Sequence, residues 1–470
     1  MRILLPTGAA TGEIVRKAAT GFDADVVETG EIASFLTPHR LRELIEKKPY
    51  DLVIVSGMCT ASFEGVERQT GVPVYRGPRH AADLALILPA LPTLTLSRTI
   101  PADEFLAAKK TEAALRRVGE QEDSAGSDFL IRGVKIGGGS RMKVLAEVMD
   151  AHRHEDLREV VGRYFEVGAD IVDLGFGFDA TPEDVVRVFS TLDGINQPLA
   201  ADTQDPELIR AALCRADIIL SLQEENIPKV AKDIADAGAA AVVVPGRSTL
   251  AKNITLARSA GIGCIIADPL LQPVGSGLVA SLKNFKKSRY PLFFGAGNVA
   301  ELLDADSIGM NALLAGMAME VGASVIFTSE HSDKTRGSIK EMRRATEMMT
   351  LASDRPYAKD LGIDLLVLKE KRCRREPPLE YDTVVPAQPM PDDLEYDPKG
   401  NFRIGIEGDH IVAVIHGKAI RGTRWQDVLH TILLQGDVSL LDHAGYLGRE
   451  LYKAELAIRY GRSFEQDGEF

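Results

Sequence analysis

The sequence predicts an α/β protein: a central (β/α)8 TIM barrel with an N-terminal α/β domain and a small C-terminal α+β domain. Three observations predict it. Eight apolar runs of strand length recur between residues 143 and 329. Helical patterns separate them. Their starts lie roughly 20 to 30 residues apart, the length of a strand, a helix and two loops. Eight such units make a closed barrel. An open, doubly wound sheet fits the same period and stands as the alternative.

Taken in order, residues 1–125 read as the N-terminal domain. "RILLP", "ADVVE" and "DLVIVSG" are strand-like, with helical patterns near 12–20, 39–48 and 102–118. The polar, aperiodic stretch 119–128 reads as a linker. The barrel is assigned to 126–369. Its strands are "KVLAEVM" (143–149), "ADIVDLG" (169–175), "PLAAD" (198–202) and "ADIILSL" (216–222), then "AAVVVPG" (240–246), "GCIIAD" (263–268), "PLFFG" (291–295) and "ASVIFTS" (323–329). A charged, proline-bearing connection covers 370–396. The C-terminal domain, 397–470, offers strands "FRIGI" and "HIVAVIH" and helices near 424–434 and 447–460.

A chain of 470 residues exceeds one compact core. A formal charge of −13 argues against a nucleic-acid or anionic-membrane binder, which would carry a basic face. No apolar run has membrane-spanning length, and "MRILLPTG" lacks the long apolar core of a secretory signal. The four cysteines, Cys59, Cys214, Cys264 and Cys373, lie far apart without a CxxC pair, so neither a zinc site nor a disulfide framework is expected. The expected compartment is the cytoplasm.

In a barrel of this kind the strand C-terminal ends line the active site. Those ends carry Glu147 and Asp150, Asp173 with Asp179 behind it, and Asp202. Then come Ser221 with Gln223 and Glu224, Arg247, Asp268 and Asn298, and finally Ser329, Glu330 and His331 with Lys334 close by. A buried carboxylate is costly unless paired, hydrogen-bonded or protonated. Several at one face suit a ligand rich in N–H donors, or a metal. Any single one can instead cap the next helix, as "DTQDPEL" would through Asp205 with Pro206 in the first turn.

These residues carry a resemblance. "ADIVDLGFG", "LAADTQDPELIRAAL", "IIADPLL" and "VLAEVMDA" resemble the second-, third-, sixth- and first-strand motifs of the dihydropteroate synthase and pterin-binding methyltransferase superfamily. "FFGAGNVAEL" is similar to the methyltransferase branch. "GPRHAAD" (77–83), "LDHAGYLGRELYKAE" (441–455) and the terminal "EQD" resemble a narrower group: dihydropteroate synthase-like proteins associated with tetrahydromethanopterin metabolism.

The resemblance implies a pterin in the barrel mouth, its aminopyrimidine edge held by Asp202 and Asp268. Glu147, Asp173, Ser221 and Asn298 complete the implied substrate-binding set. The candidate Mg2+ ligand is Asp150, and the candidate cation for diphosphate oxygens is Arg247 or Lys334. The implied reaction joins a dihydropterin-methyl diphosphate to an aromatic amine. A homodimer or a complex with pathway proteins is the implied assembly.

The sequence also departs from the synthase. Simple alignment sets Ala146, beside Glu147, where the synthase has a first-strand Asn, and Leu220, beside Ser221, where it has a fourth-strand Asn. "GAGN" and "TSEHSDK" stand where it carries a Lys and an Arg. Two other readings therefore stay open: a non-enzymatic pterin-binding or assembly protein, and a methyl-pterin-dependent methyltransferase.

Four further features have plain expectations. The HxH of His152 and His154 is expected to be solvated. "GGGSR" (137–141) shapes the approach to the first strand. "KNFKKSR" (283–289) is a solvated helix face. Asp442 caps a helix.

Overall fold

The computed structural model describes residues 1–355, 357–359, 361–369, 382–389 and 396–469. The connection expected at 370–396, including Cys373, falls mostly outside them. The chain divides into two compact units, 1–377 and 378–470. No helix among the described residues is long and apolar enough to cross a membrane.

The first unit opens with four parallel strands, Ile3–Thr7, Ala24–Glu28, Leu52–Val55 and Val74–Arg76, in the order 2-1-3-4. The fourth is only three residues long, below the length at which a pattern can be read. The helix Ala102–Ser124 then leads to the barrel, which overturns the linker expected over 119–128 as far as Ser124. Apolar periodicity is absent there because polar contacts fix the helix end. Glu122 accepts from the Arg141 N–H at 2.8 Å and pairs with Lys143 at 3.0 Å, while Lys135 Nζ reaches the carbonyls of Glu122, Asp123 and Ala125.

A hairpin, Phe129–Ile131 and Val134–Ile136, turns through Arg132 and Gly133, both at positive φ. Its Ile131 and Ile136 pack with Leu145, Ile171 and Ile218 inside the barrel and so plug its N-terminal end. Gly137, Gly138 and Gly139 follow at φ +72, +61 and +84, a left-handed path that side chains disfavour. They carry the chain from the plug into the first barrel strand.

Eight parallel strands close the barrel in sequential order: β1 (Lys143–Val148), β2 (Ile171–Gly175), β3 (Leu199–Asp202), β4 (Ile218–Leu222), β5 (Ala240–Val243), β6 (Ile265–Ala267), β7 (Leu292–Phe294) and β8 (Ala323–Ser329). All eight coincide with the expected runs. Side chains alternate along each strand. One set fills the interior: Leu145, Ile171, Ala200, Ile218, Leu220, Val242, Ile266, Phe293, Val325 and Phe327. The other set, including Val144, Val172, Ala201 and Ile219, packs under the surrounding helices.

The second unit is an antiparallel three-stranded sheet, Arg403–Glu407, His410–Ile415 and Lys418–Gly422, covered by helices Trp425–Leu434 and Leu441–Tyr460. Its own core joins Ile404, Ile411, Ala413, Val428, Ile432, Leu447 and Leu451. Gln466 of the terminal "EQD" donates to the Phe402 carbonyl at 2.9 Å and accepts the Ile404 N–H at 2.9 Å, tying the tail to the first strand of this sheet. Asp442 is not the expected cap. Leu440 holds that position, and Asp397 takes the Ser439 and Leu440 N–H groups and pairs with His443 Nδ1 at 3.1 Å. The run 283–289 is a loop rather than a helix face.

Candidate functional site

Strand alternation builds the site. Two residues beyond the interior apolar layer, on the same side of each strand, come Glu147 after Leu145, Asp173 after Ile171, Asp202 after Ala200 and Asp268 after Ile266. The barrel interior is therefore apolar below and acidic at its C-terminal mouth. Register sets Glu147 directly beside Asp173. One oxygen from each of Glu147, Asp173 and Asp202 lies within 4.8 Å of the other two.

On β4 the alternation is broken on purpose. Ser221 has φ +65, and the pairing to β5 shifts register between Ile219 and Leu222. This β-bulge re-aims the hydroxyl, which donates to Asp202 Oδ1 at 2.8 Å. Asp268 accepts the Leu270 N–H at 2.8 Å on one oxygen, Leu270 itself standing at φ +63.

Burial and mutual repulsion control the charges. Burial, then the charges of Asp202, Glu301 and Asp150, push the Glu147 carboxyl up to about 7. Burial with a smaller push from Asp202 raises Asp268 to about 7, against the Leu270 N–H. Asp173 is raised well above the carboxylate range by burial and by Asp202 and Glu147. Burial also raises Asp202, against the Ser221 hydroxyl. Such a set is starved of donors, and a donor-rich or cationic ligand would relieve it.

Geometry sets which of the residues at these positions face the mouth. Ala146 packs outward beneath the helices, so Glu147 is the mouth-facing residue of β1. On β4, Ser221 reaches the mouth above Leu220.

The remaining expected residues stand further out. Asp150, at φ +48, lies against Gly177, where an added Cβ would come 2.7 Å from its Oδ1. Arg247 is 91% exposed and 3.6 Å from Glu225. Lys334 bonds Asp304 at 2.8 Å. Asn298 is exposed on the short helix Ala296–Glu301. Asp179 pairs with Arg153, and Thr181 caps the next helix in a capping box with Asp184. Of the HxH pair, His154 is exposed as expected, whereas His152 is not. His152 is nearly buried, 3.5 Å from Asp179, and His154 Nε2 lies 3.1 Å from the Met149 carbonyl.

Glu224, read from the sequence as a mouth acid, instead clasps the β5 loop through the Ser248 N–H and Asn253 Nδ2, both at 2.9 Å. Its carboxyl is held down at about 2 by Asn253 and then by backbone N–H groups. Sequence reasoning missed Glu301. It accepts from the hydroxyls of Ser329 (3.0 Å), Ser332 (2.6 Å) and Thr335 (2.6 Å) and from the His331 N–H (3.0 Å), fixing the loop after β8. The hydroxyl-rich "TSEHSDKT" was its one legible signal.

A family model described as PterinBD-DUF4346 matches residues 396–467, in the second unit. An uncharacterized protein of Methanocaldococcus jannaschii is 34% identical over 517 aligned positions, covering 99% of this chain and 98% of its own. Among solved structures, dihydropteroate synthase from Thermus thermophilus aligns at 19% identity and TM-score 0.38, covering 46% of this chain and 96% of its own. The Yersinia pestis synthase aligns at 20% and TM-score 0.36, covering 47% and 96%. By end-to-end identity, the chain belongs to the family of the Methanocaldococcus jannaschii protein, and its C-terminal unit matches the PterinBD-DUF4346 model.

Proposed function

We propose that the barrel mouth binds a reduced pterin by its aminopyrimidine edge, and that the protein joins a dihydropterin-methyl diphosphate to an aromatic amine in tetrahydromethanopterin biosynthesis. The observation that carries the pterin reading is the pair Asp202, half-buried at the end of β3, and Asp268, buried at the end of β6, acceptors at one mouth. Each has one oxygen engaged, by Ser221 and by the Leu270 N–H. The other oxygen of each is left for a ligand N–H, and charge-assisted bonds of this kind are the strong ones. Donors at Asp268 favour its ionised form, so binding near neutral pH releases a proton.

In the transfer step the pterin-methyl C–O bond breaks, a C–N bond forms, diphosphate departs and the amine loses a proton. Orientation of the two reactants and stabilisation of the departing charge are what the protein contributes. Arg247 and Lys334 are the cations assigned to that charge. Their present partners, Glu225 and Asp304, form exposed surface pairs that a diphosphate can displace. Asp150 is the residue that would hold Mg2+, which would supply positive charge to the departing diphosphate. Incubation with the dihydropterin diphosphate, Mg2+ and a panel of anilines, a ribofuranosyl-aniline phosphate among them, should release diphosphate. No release with any amine retires the transferase reading.

One observation favours a second reading. Where ionised, the clustered carboxylates of the mouth repel a diphosphate. A pterin-binding or assembly protein has no such conflict. Tight pterin binding without turnover would mark it.

A further inference from the structure

We propose that Glu147, Asp173 and Asp202 form a binding site for one hard divalent cation of the Mg2+/Mn2+ class at the floor of the barrel mouth. The spacing suits a single ion. One oxygen from each residue lies within 4.8 Å of the others. Metal–oxygen bonds of about 2.0–2.6 Å place ligand oxygens on opposite sides of an ion about 4–5 Å apart and adjacent ones closer.

The independent sign of a ligand is Asp173. It has 0% exposure, and neither carboxylate oxygen has a hydrogen-bond partner. Buried carboxylates are retained where they are paired, hydrogen-bonded or bound to a metal. Asp173 follows Ile171 on the inward side of β2, so the strand itself aims it into the cluster. Asp202 is steadied by Ser221 and Glu147 is the cross-strand neighbour of Asp173.

The donor set decides the ion. All three ligands are carboxylate oxygens, with no thiolate and no imidazole among them, which selects hard cations over Zn2+ or copper. Three protein ligands leave coordination positions for water or for oxygen atoms of a bound molecule. The ligand set is not the Asp150 site implied for diphosphate. The inference does not rest on pterin binding.

The test is titration of Mn2+ into the full-length protein after EDTA treatment and removal of the chelator, with free ion followed by electron paramagnetic resonance. The expected result is one Mn2+ per chain, displaced by Mg2+. Affinity should fall at least tenfold in Asp173→Asn and in Glu147→Gln, and stay unchanged in Asp193→Asn, in the loop between the helix Pro182–Thr191 and the N-terminal end of β3. Melting curves in metal-free buffer confirm that each variant is folded, and if Asp173→Asn does not fold, Glu147→Gln decides. No saturable binding up to millimolar Mn2+, or wild-type affinity in the folded carboxylate variants, overturns the site. Pterin binding measured separately in EDTA distinguishes failure of this site from failure of the pterin reading.

Discussion

Asp268 shows how much one residue can reveal. Its ordinary carboxyl value is 3.8, and the folded barrel raises it to about 7. As pH rises, the unfolded chain therefore loses this proton first. Stability is full below about pH 4, declines between about pH 4 and 7, and levels off above. The loss is on the order of 4 kcal/mol. Glu147 acts in the same direction. Urea unfolding across this range should show the decline in the ligand-free protein, and Asp268→Asn should flatten much of it. The same substitution, and Asp202→Asn, should weaken pterin binding by roughly 10- to 100-fold, the value of a charge-assisted bond. Both aspartates were legible in the sequence because each ends an apolar run. The role of Asp173 was harder to read. Its inward aim and lack of donors depend on its neighbours across the sheet, which no single run displays.

At the scale of elements, strand period explains both what could be read and what could not. Eight apolar runs gave eight strands because buried parallel strands need uninterrupted apolar sequence. The β4 bulge left no such trace. Ser221 looked like any polar strand-end residue, and its inward turn follows from φ +65 and a register shift. Ala146 and Glu147 were likewise ambiguous until alternation from Leu145 assigned the mouth to Glu147. Gly297 illustrates a tighter constraint. A Cβ there would sit 2.7 Å from the Phe327 ring and 3.1 Å from Thr328 Cα, so the helix after β7 packs against β8 through bare backbone. Gly297→Ala should cost about 1–3 kcal/mol in denaturant unfolding. Glu301→Ala should raise amide exchange over residues 329–335, since it removes the acceptor shared by Ser329, His331, Ser332 and Thr335.

For the whole molecule, the division into two units has a direct consequence. The C-terminal unit has its own apolar core and a tail tied back by Gln466. Residues 378–470 expressed alone should melt cooperatively by circular dichroism, and a featureless melt would show that this core is insufficient. The module was legible from its alternating strands, whereas the third strand, Lys418–Gly422, was hidden by its charged, exposed edge. In the first unit, the apolar pattern marked the barrel but not the helix end at 119–124, which is held by ion pairs rather than by apolar contacts. A crystal structure with a bound reduced pterin tests the acidic mouth as a pterin site. The aminopyrimidine edge should lie within about 3 Å of both the Asp202 and Asp268 carboxylates. A pterin bound elsewhere, or held in the mouth without either aspartate, would contradict it.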